Sequence, residues 1–261
     1  MAALPMYDRP EIAKETDRLW ALLREAIRDK GLDAPAALDR ETPLRKLWSA
    51  PELVLAQSCG LPFVRVLASR VGLLGTPAYA IEGVAPGEYR SALIVSDGSQ
   101  ATGLAALRGA RVAINAWDSQ SGYAALMDAT APYAQQGRMF ASVLVTGSHA
   151  ASIEAVAAGR AHIAAIDAVT WALACRHDAL TKRLRVLEWT APTPGLPLIT
   201  GNRGRVLPLT EAVEAVFAAL PGDVSEALLI RGFRRRAPED YTPIRERLAA
   251  ALERHRLPTP L

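Results

Sequence analysis

Short apolar runs alternate with amphipathic stretches along the chain, and the alternation predicts strands and helices in turn. Residues 9–30 carry Ile12, Leu19, Leu22, Leu23, Ala26 and Ile27 at three- and four-residue spacing, the pattern of one buried helix face. Gly31 supplies the stop, because a left-handed residue commonly ends a helix. Apolar runs between turn residues predict strands at 4–7, 53–58, 70–81 (broken by Gly72 and Gly75) and 89–96. The middle of the chain predicts strands at 111–116, 140–146, 162–167 and 184–189. Helices are expected between them, at 104–109, 119–134, 148–159 and 168–176. Pro192, Pro194 and Pro197 stiffen a crossing segment before the short run 198–200. A helix at 210–220, a helix or short strand at 227–233 and an amphipathic helix at 241–256 complete the pattern. Pro258 and Pro260 close the chain.

Strand–helix alternation with short loops argues for α/β units built on mostly parallel sheets. The outer parts share the character of the middle and flank it. The pattern therefore predicts a discontinuous first lobe, 1–90 with 191–261, and an inserted second lobe, 91–190. The crossings fall near 89–96 and 189–194, and a ligand would lie at the C-terminal ends of strands.

Composition narrows the function. Of 261 residues, 50% are hydrophobic and 22% charged, which excludes a disordered chain. The net charge of +3 is mostly local, with Arg231, Arg234, Arg235 and Arg236 close together. That run reads as a solvated turn, and no nucleic-acid module accompanies it. Cys59 and Cys175 are far apart and form no CxxC, so neither a zinc site nor a redox pair is signalled, and two free thiols are expected. No apolar run reaches the roughly 18 residues of a membrane span. Tyr7 is followed at once by Asp8, Arg9 and Glu11, unlike a secretory signal, so the expected location is the cytoplasm, or the periplasm if the N-terminus was trimmed. Dinucleotide, P-loop and nucleophile-elbow motifs are absent from the sequence, so no cofactor is expected.

Three strand ends carry candidate chemistry. The first is Asn115-Ala-Trp-Asp-Ser119-Gln120-Ser121-Gly122, where small polar residues open a helix. Free N–H groups and hydroxyls there suit an anion, although capping alone would select the same residues. The second is Thr146-Gly-Ser148-His149, with Ser148 as cap and His149 in the first turn. The third delivers Asp167 after an apolar strand, as a cap or as a contact for a ligand amine or hydroxyl. A serine triad drawn from Ser119 or Ser121, His149 and Asp167 is disfavoured by chain order and by the want of an oxyanion hole.

An ordered set of segments carries a family resemblance. They are Leu4-Pro-Met-Tyr7-Asp8, Gln57-Ser58-Cys59-Gly60-Leu61-Pro62, Gly75-Thr76-Pro77, Tyr89-Arg90-Ser91, Ser119-Gln120-Ser121-Gly122, Gly147-Ser148-His149, 165–171 and 190–197. With them the chain resembles the phosphate/phosphonate-type substrate-binding proteins of ABC transporters, in a short, signal-less bacterial branch. The resemblance implies a bilobed type II periplasmic-binding-protein fold with two hinge strands and a small anionic ligand between the lobes. It implies Tyr7 and Tyr89 as cleft aromatics, and Ser119, Ser121 and Gly122 as the grip on the phosphonate or phosphate. It also implies His149 at the next helix start and Asp167 opposite a ligand amine. Gln57, Ser58, Gln120 and Ser148 join by position. The expected function is anion capture without catalysis, with an ABC permease as partner if the role is transport and no nucleic-acid or membrane-inserted partner. The alternative is a cytosolic lyase or transferase on the same fold, with His149 or Asp167 as acid–base group.

Overall fold

The computed structural model describes residues 1–259, and Pro260 lies outside the described residues. In chain order the elements that matter here begin with β1 (Ala2–Ala3), α1 (Ala13–Asp29), β2 (Leu55–Gln57), β3 (Gly72–Tyr79), β4 (Ser91–Ser96) and β5 (Arg111–Ile114). Next comes α2, which opens in π geometry over Gln120–Ala124 and continues as Ala125–Thr130. It is followed by β6 (Ser142–Val145), α3 (His149–Ala157), β7 (Ile163–Asp167), α4 (Ala168–His177) and β8 (Leu184–Trp189). The last are β9 (Leu198–Thr200), α5 (Val206–Ala218), β10 (Ile230–Arg234) and α6 (Thr242–Arg254).

The chain divides into two compact units, Met1–Glu88 with Pro194–Thr242, and Tyr89–Thr193 with Pro243 onward. The first unit holds a five-stranded sheet in the order β1-β2-β9-β3-β10. Leu19, Trp20, Leu23 and Ile27 bury one face of α1, whereas Leu22, expected inside, is 39% exposed. Trp20 takes the buried position, and its indole N–H donates to the Pro35 carbonyl at 3.3 Å. Gly31 ends α1 with φ +73°. Tyr241 is fully buried and donates its hydroxyl to the Gly195 carbonyl at 2.8 Å.

The second unit holds a sheet in the order β6-β5-β7-β4-β8. All five residues of β7 are buried, and Ala92 to Val95 of β4 are fully covered. Such strands need apolar residues on both faces, which is why they read as continuous runs. Small residues (Ala92, Ala113, Ala155, Ala164) let α3 pack closely on this sheet.

Several expectations need correction. The sheets are mixed, not mostly parallel. β5 pairs in parallel with β6 and β7, joined through α2 and α3, but β4 is antiparallel to both β7 and β8. Likewise β9 is antiparallel to β2 and β3, and only β1–β2 is parallel in the first sheet besides the antiparallel β10–β3 pair. A crossover helix imposes parallel pairing; β4 and β9 each follow a change of unit, so none constrains them. The first strand is Ala2–Ala3, not 4–7, because Ala2 and Ala3 pair with Leu55 and Ala56. The strand expected at 70–81 starts at Gly72 and runs unbroken through Gly75 to Tyr79. The 227–233 segment is strand from Ile230, after a helix over Gly222–Ala227.

Residues from Pro243 onward group with the second unit, whereas the pattern had placed 191–261 in the first. Ile244, Leu248, Ala251 and His255 are buried. The Arg247 guanidinium donates to the Pro192 carbonyl, and the Arg256 N–H to the Gly137 carbonyl. His255, expected at the surface, is 1% exposed with Nε2 3.1 Å from the Met127 carbonyl.

Candidate functional site

Within the second unit, the ends of β5 and β6 are tied side by side. The Thr146 N–H donates to the Ile114 carbonyl at 2.9 Å, and the Gly147 N–H to the Asn115 carbonyl at 3.0 Å. Gly147 has φ +88°, a region that favours glycine, and this turn starts α3 directly beside the start of α2. The Thr146 hydroxyl lies 2.6 Å from that of Ser152 and fixes the first turn of α3 to its strand.

Each helix is capped by a serine. Ser119 Oγ accepts the Gly122 N–H at 3.0 Å, and Ser148 Oγ accepts the Ala151 N–H at 3.1 Å. These are ordinary N-caps. Accepting leaves the hydroxyl proton of Ser119 to donate elsewhere. Ser119, Gln120 and Ser121 are buried, whereas Ser148 is exposed.

Ser121 and His149 meet across the two helix starts, with Ser121 Oγ 2.9 Å from His149 Nε2. The Ser121 carbonyl accepts the hydroxyl of Ser91 at 3.0 Å, which anchors the first turn of α2 to β4. Asn115 Oδ1 and His149 Cε1 both press on Gly122. A Cβ there would fall 1.9 Å from the first and 3.2 Å from the second. Asn115 Oδ1 and His149 Nδ1 are sealed from solvent and have no hydrogen-bond partner. Burial pushes the His149 imidazole down to about 4, so it is neutral at physiological pH. Among the described residues no lysine or arginine hydrogen-bonds to Ser119, Ser121 or His149. The cluster thus offers neutral hydroxyl and imidazole groups, which suit an oxyanion held by hydrogen bonds.

Asp167 is 2% exposed at the end of β7 and caps α4. Its Oδ1 accepts the N–H groups of Val169 at 2.8 Å and Thr170 at 3.1 Å. Asp167 sits opposite Ser91 in the β4–β7 ladder. Asp167→Ala is expected to lower stability by about 1–2 kcal/mol through loss of the cap, and Asp167→Asn by much less. Urea unfolding of both variants checks this, and equal losses would contradict the capping role. Tyr89 is buried in this unit, and beside it the Arg90 guanidinium lies 4.3 Å over the Trp189 ring.

In the first unit Tyr7, Gln57 and Tyr79 form a second cluster. Tyr7 stacks edge-on against Tyr79 at 5.0 Å between centroids, and Gln57 Nε2 donates to the Tyr79 hydroxyl at 3.1 Å. Together with Pro77, Leu198 and Phe217 they line an apolar recess. Ser58 is fully buried beside Gln57. Sequence reasoning passed over Tyr79, quoted Ser91 without a contact for it, and read Asn115 as the start of the first strand-end segment. Period-two alternation along β4 could have placed Ser91 on one face with Leu93, but its bond to Ser121 joins residues 30 apart.

Among the described residues no group of histidine, cysteine or acidic side chains could hold a metal ion, and no helix is long and apolar enough to cross a membrane. Cys59 and Cys175 are not joined in a disulfide.

Comparison with known proteins adds the family. Residues 2–242 match the model for the phosphonate periplasmic substrate-binding protein of ABC transporters. No curated protein matches. Among solved structures, PhnD1 from Prochlorococcus marinus in complex with methylphosphonate is 15% identical with a TM-score of 0.74, over 97% of this chain and 98% of that one. A binding-protein component of an ABC phosphonate transporter from Pseudomonas aeruginosa is 16% identical with a TM-score of 0.71, over 97% and 92%. A Xanthomonas citri protein bound to ATP is 17% identical with a TM-score of 0.69, over 97% of both chains. At these identities the structures establish the shared fold.

Proposed function

The chain belongs to the phosphonate-type periplasmic substrate-binding proteins of ABC transporters, and from that premise we propose that its Ser119–Ser121–His149 cluster is where it grips a small oxyanion, a phosphonate or phosphate. The family is one of substrate-binding transport components, not enzymes, so the expected act is capture and release of an unchanged ligand. Handing that ligand to an ABC permease in the membrane is the role this reading assigns, and the family's working compartment is the periplasm.

One observation carries the placement. Two helix starts, a serine hydroxyl with a proton to give, and an imidazole with an unpartnered buried nitrogen converge in one unit. Helix starts attract anions through free N–H groups and the positive end of the helix dipole. Neutral donors suffice for tight capture, because hydrogen bonds to an ionised group are roughly twice as strong as neutral ones.

A thermal-unfolding titration tests it. Methylphosphonate and inorganic phosphate should raise the midpoint progressively with concentration. Saturation at a hundred times Kd corresponds to about 2.7 kcal/mol. The ligand should be recovered chemically intact. Absence of any shift with both anions, or stabilisation by an uncharged solute instead, would refute the reading.

A further inference from the structure

Ser121 and His149 share one hydrogen bond, and among the described residues no lysine or arginine hydrogen-bonds to either, which bears on how a charged ligand is accommodated. A neutral imidazole carries one proton. If Ser121 donates to Nε2, the serine proton faces the histidine and not the ligand. If Nε2 donates to Ser121, then Nδ1 is a buried lone pair with nothing to accept from. Either way the cluster is under-satisfied, and Nδ1 and Asn115 Oδ1 are the atoms left over. An imidazolium frees the serine proton for the ligand. Its Nε2–H donates to Ser121 Oγ and turns the serine proton outward, while Nδ1–H becomes a donor in a cluster that contains the unfilled acceptor Asn115 Oδ1.

We propose that anion capture takes up a proton onto His149, so that the bound oxyanion faces an imidazolium and a freed Ser121 hydroxyl. The proposal rests on the assignment of the anion site to this cluster. Protonation involves no covalent step: the solvent or the buffer supplies the proton, and release of the ligand returns it.

The surroundings of His149 make the ligand the deciding charge. Around the site lie the uncharged Asn115, Ser119, Gln120 and Ser121, with Tyr123 and Asp118 on the segment that opens α2. The strands and the turn packed on α3 carry Arg111 at the start of β5, Asp167 at the end of β7, and Lys182 and Arg183 after α4, and α3 itself carries Glu154. None of these charged groups hydrogen-bonds to or forms an ion pair with the imidazole, whose bond is to Ser121. Burial alone depresses its basicity, to about 4 in the free protein. An adjacent anion raises it. Between the free and bound values, binding therefore consumes protons. Affinity rises as pH falls through the bound value, by up to about tenfold per pH unit, and levels off near pH 4.

Calorimetric titration of the full chain with methylphosphonate, from pH 5.5 to 8 in buffers of differing ionisation enthalpy, reads the proton count directly. Methylphosphonate titrates too, so the informative quantity is wild type minus His149→Gln. The glutamine keeps a neutral partner for Ser121 but cannot charge. The expected result is up to one extra proton taken up by wild type, with affinities converging within about tenfold at pH 8 and diverging in acid. Equal proton counts in the two proteins would overturn the proposal and leave the anion site standing. No binding of methylphosphonate or inorganic phosphate by wild type would overturn the site assignment, and the proposal with it. Because the variant could misfold, nitrogen chemical shifts of His149 in the saturated wild type provide a second reading at pH 6.5. An imidazolium pattern is expected, and a neutral tautomer would overturn the proposal.

Discussion

Replacing Ser119 and Ser121 together by alanine is expected to weaken methylphosphonate binding by at least two orders of magnitude while the protein remains folded. A hydrogen bond to a charged group contributes about 1.5–3 kcal/mol, and each 1.4 kcal/mol is a factor of ten. Two such donors therefore account for a loss of about a hundredfold or more. The structural cost is smaller. Ser119 Oγ caps α2 through the Gly122 N–H, a contribution of about 1 kcal/mol. Ser121 Oγ holds His149 Nε2, and its loss leaves the imidazole of a partly exposed residue without a protein hydrogen-bond partner, a cost of about 1–3 kcal/mol. Calorimetry separates binding from folding when paired with thermal unfolding of the free variant. An affinity within threefold of wild type would place the anion elsewhere on the molecule. Ser148→Ala is the natural control, because it removes the same kind of N-cap as Ser119→Ala from an exposed residue.

What the sequence reveals and what it hides follow from how far apart the interacting residues lie. β7 and the Asp167 cap are legible, since a buried central strand must be apolar on both faces and the cap sits at its end. The serine caps at 119 and 148 are legible for the same local reason. Strand direction is not. Nothing in Ser91–Ser96 records that both its neighbours, β7 and β8, run the other way, because that depends on where the chain arrives from. The two-residue β1 is hidden as well, since Ala2 and Ala3 have weak strand preference and are held by pairing with Leu55 and Ala56. His255 sits among charged residues and looks solvated, yet tertiary packing of α6 buries it against Met127. At the candidate site the sequence shows which residues stand at strand ends. It cannot show that Ser121 bonds His149 and leaves Nδ1 unpartnered, because 28 residues separate the pair.

Gly75→Ala is expected to cost more stability than the substitutions at the candidate site. Gly75 lies inside β3 with φ +145°, a conformation side chains rarely adopt. A Cβ at this position would stand 2.3 Å from the Arg234 carbonyl oxygen, 2.5 Å from Phe233 Cζ and 3.0 Å from Arg235 Cα. Two of these three are backbone atoms, so no rotamer change clears the space. Strand β3 is held between β9 and β10, and Leu198 of β9 is the register partner of Gly75. Relief requires β10 to move off the ladder it makes through Thr76, Pro77, Ala78 and Tyr79. Overpacking costs about 1–3 kcal/mol and the backbone strain about 1–3 more, so a loss of about 2–6 kcal/mol is expected. That is a large share of the roughly 5–15 kcal/mol available to a folded domain. Gly98→Ala, where an added Cβ meets nothing within 4 Å, should change stability by less than about 0.5 kcal/mol. Urea unfolding of both variants makes the comparison, and a Gly75→Ala loss below about 1 kcal/mol would mean that β10 yields easily. Because β3 also delivers Pro77 and Tyr79 to the cluster with Tyr7 and Gln57, the same displacement should disturb the Tyr7–Tyr79 contact. A change in the near-ultraviolet circular dichroism of Gly75→Ala, at denaturant concentrations where it is still folded, would register that disturbance.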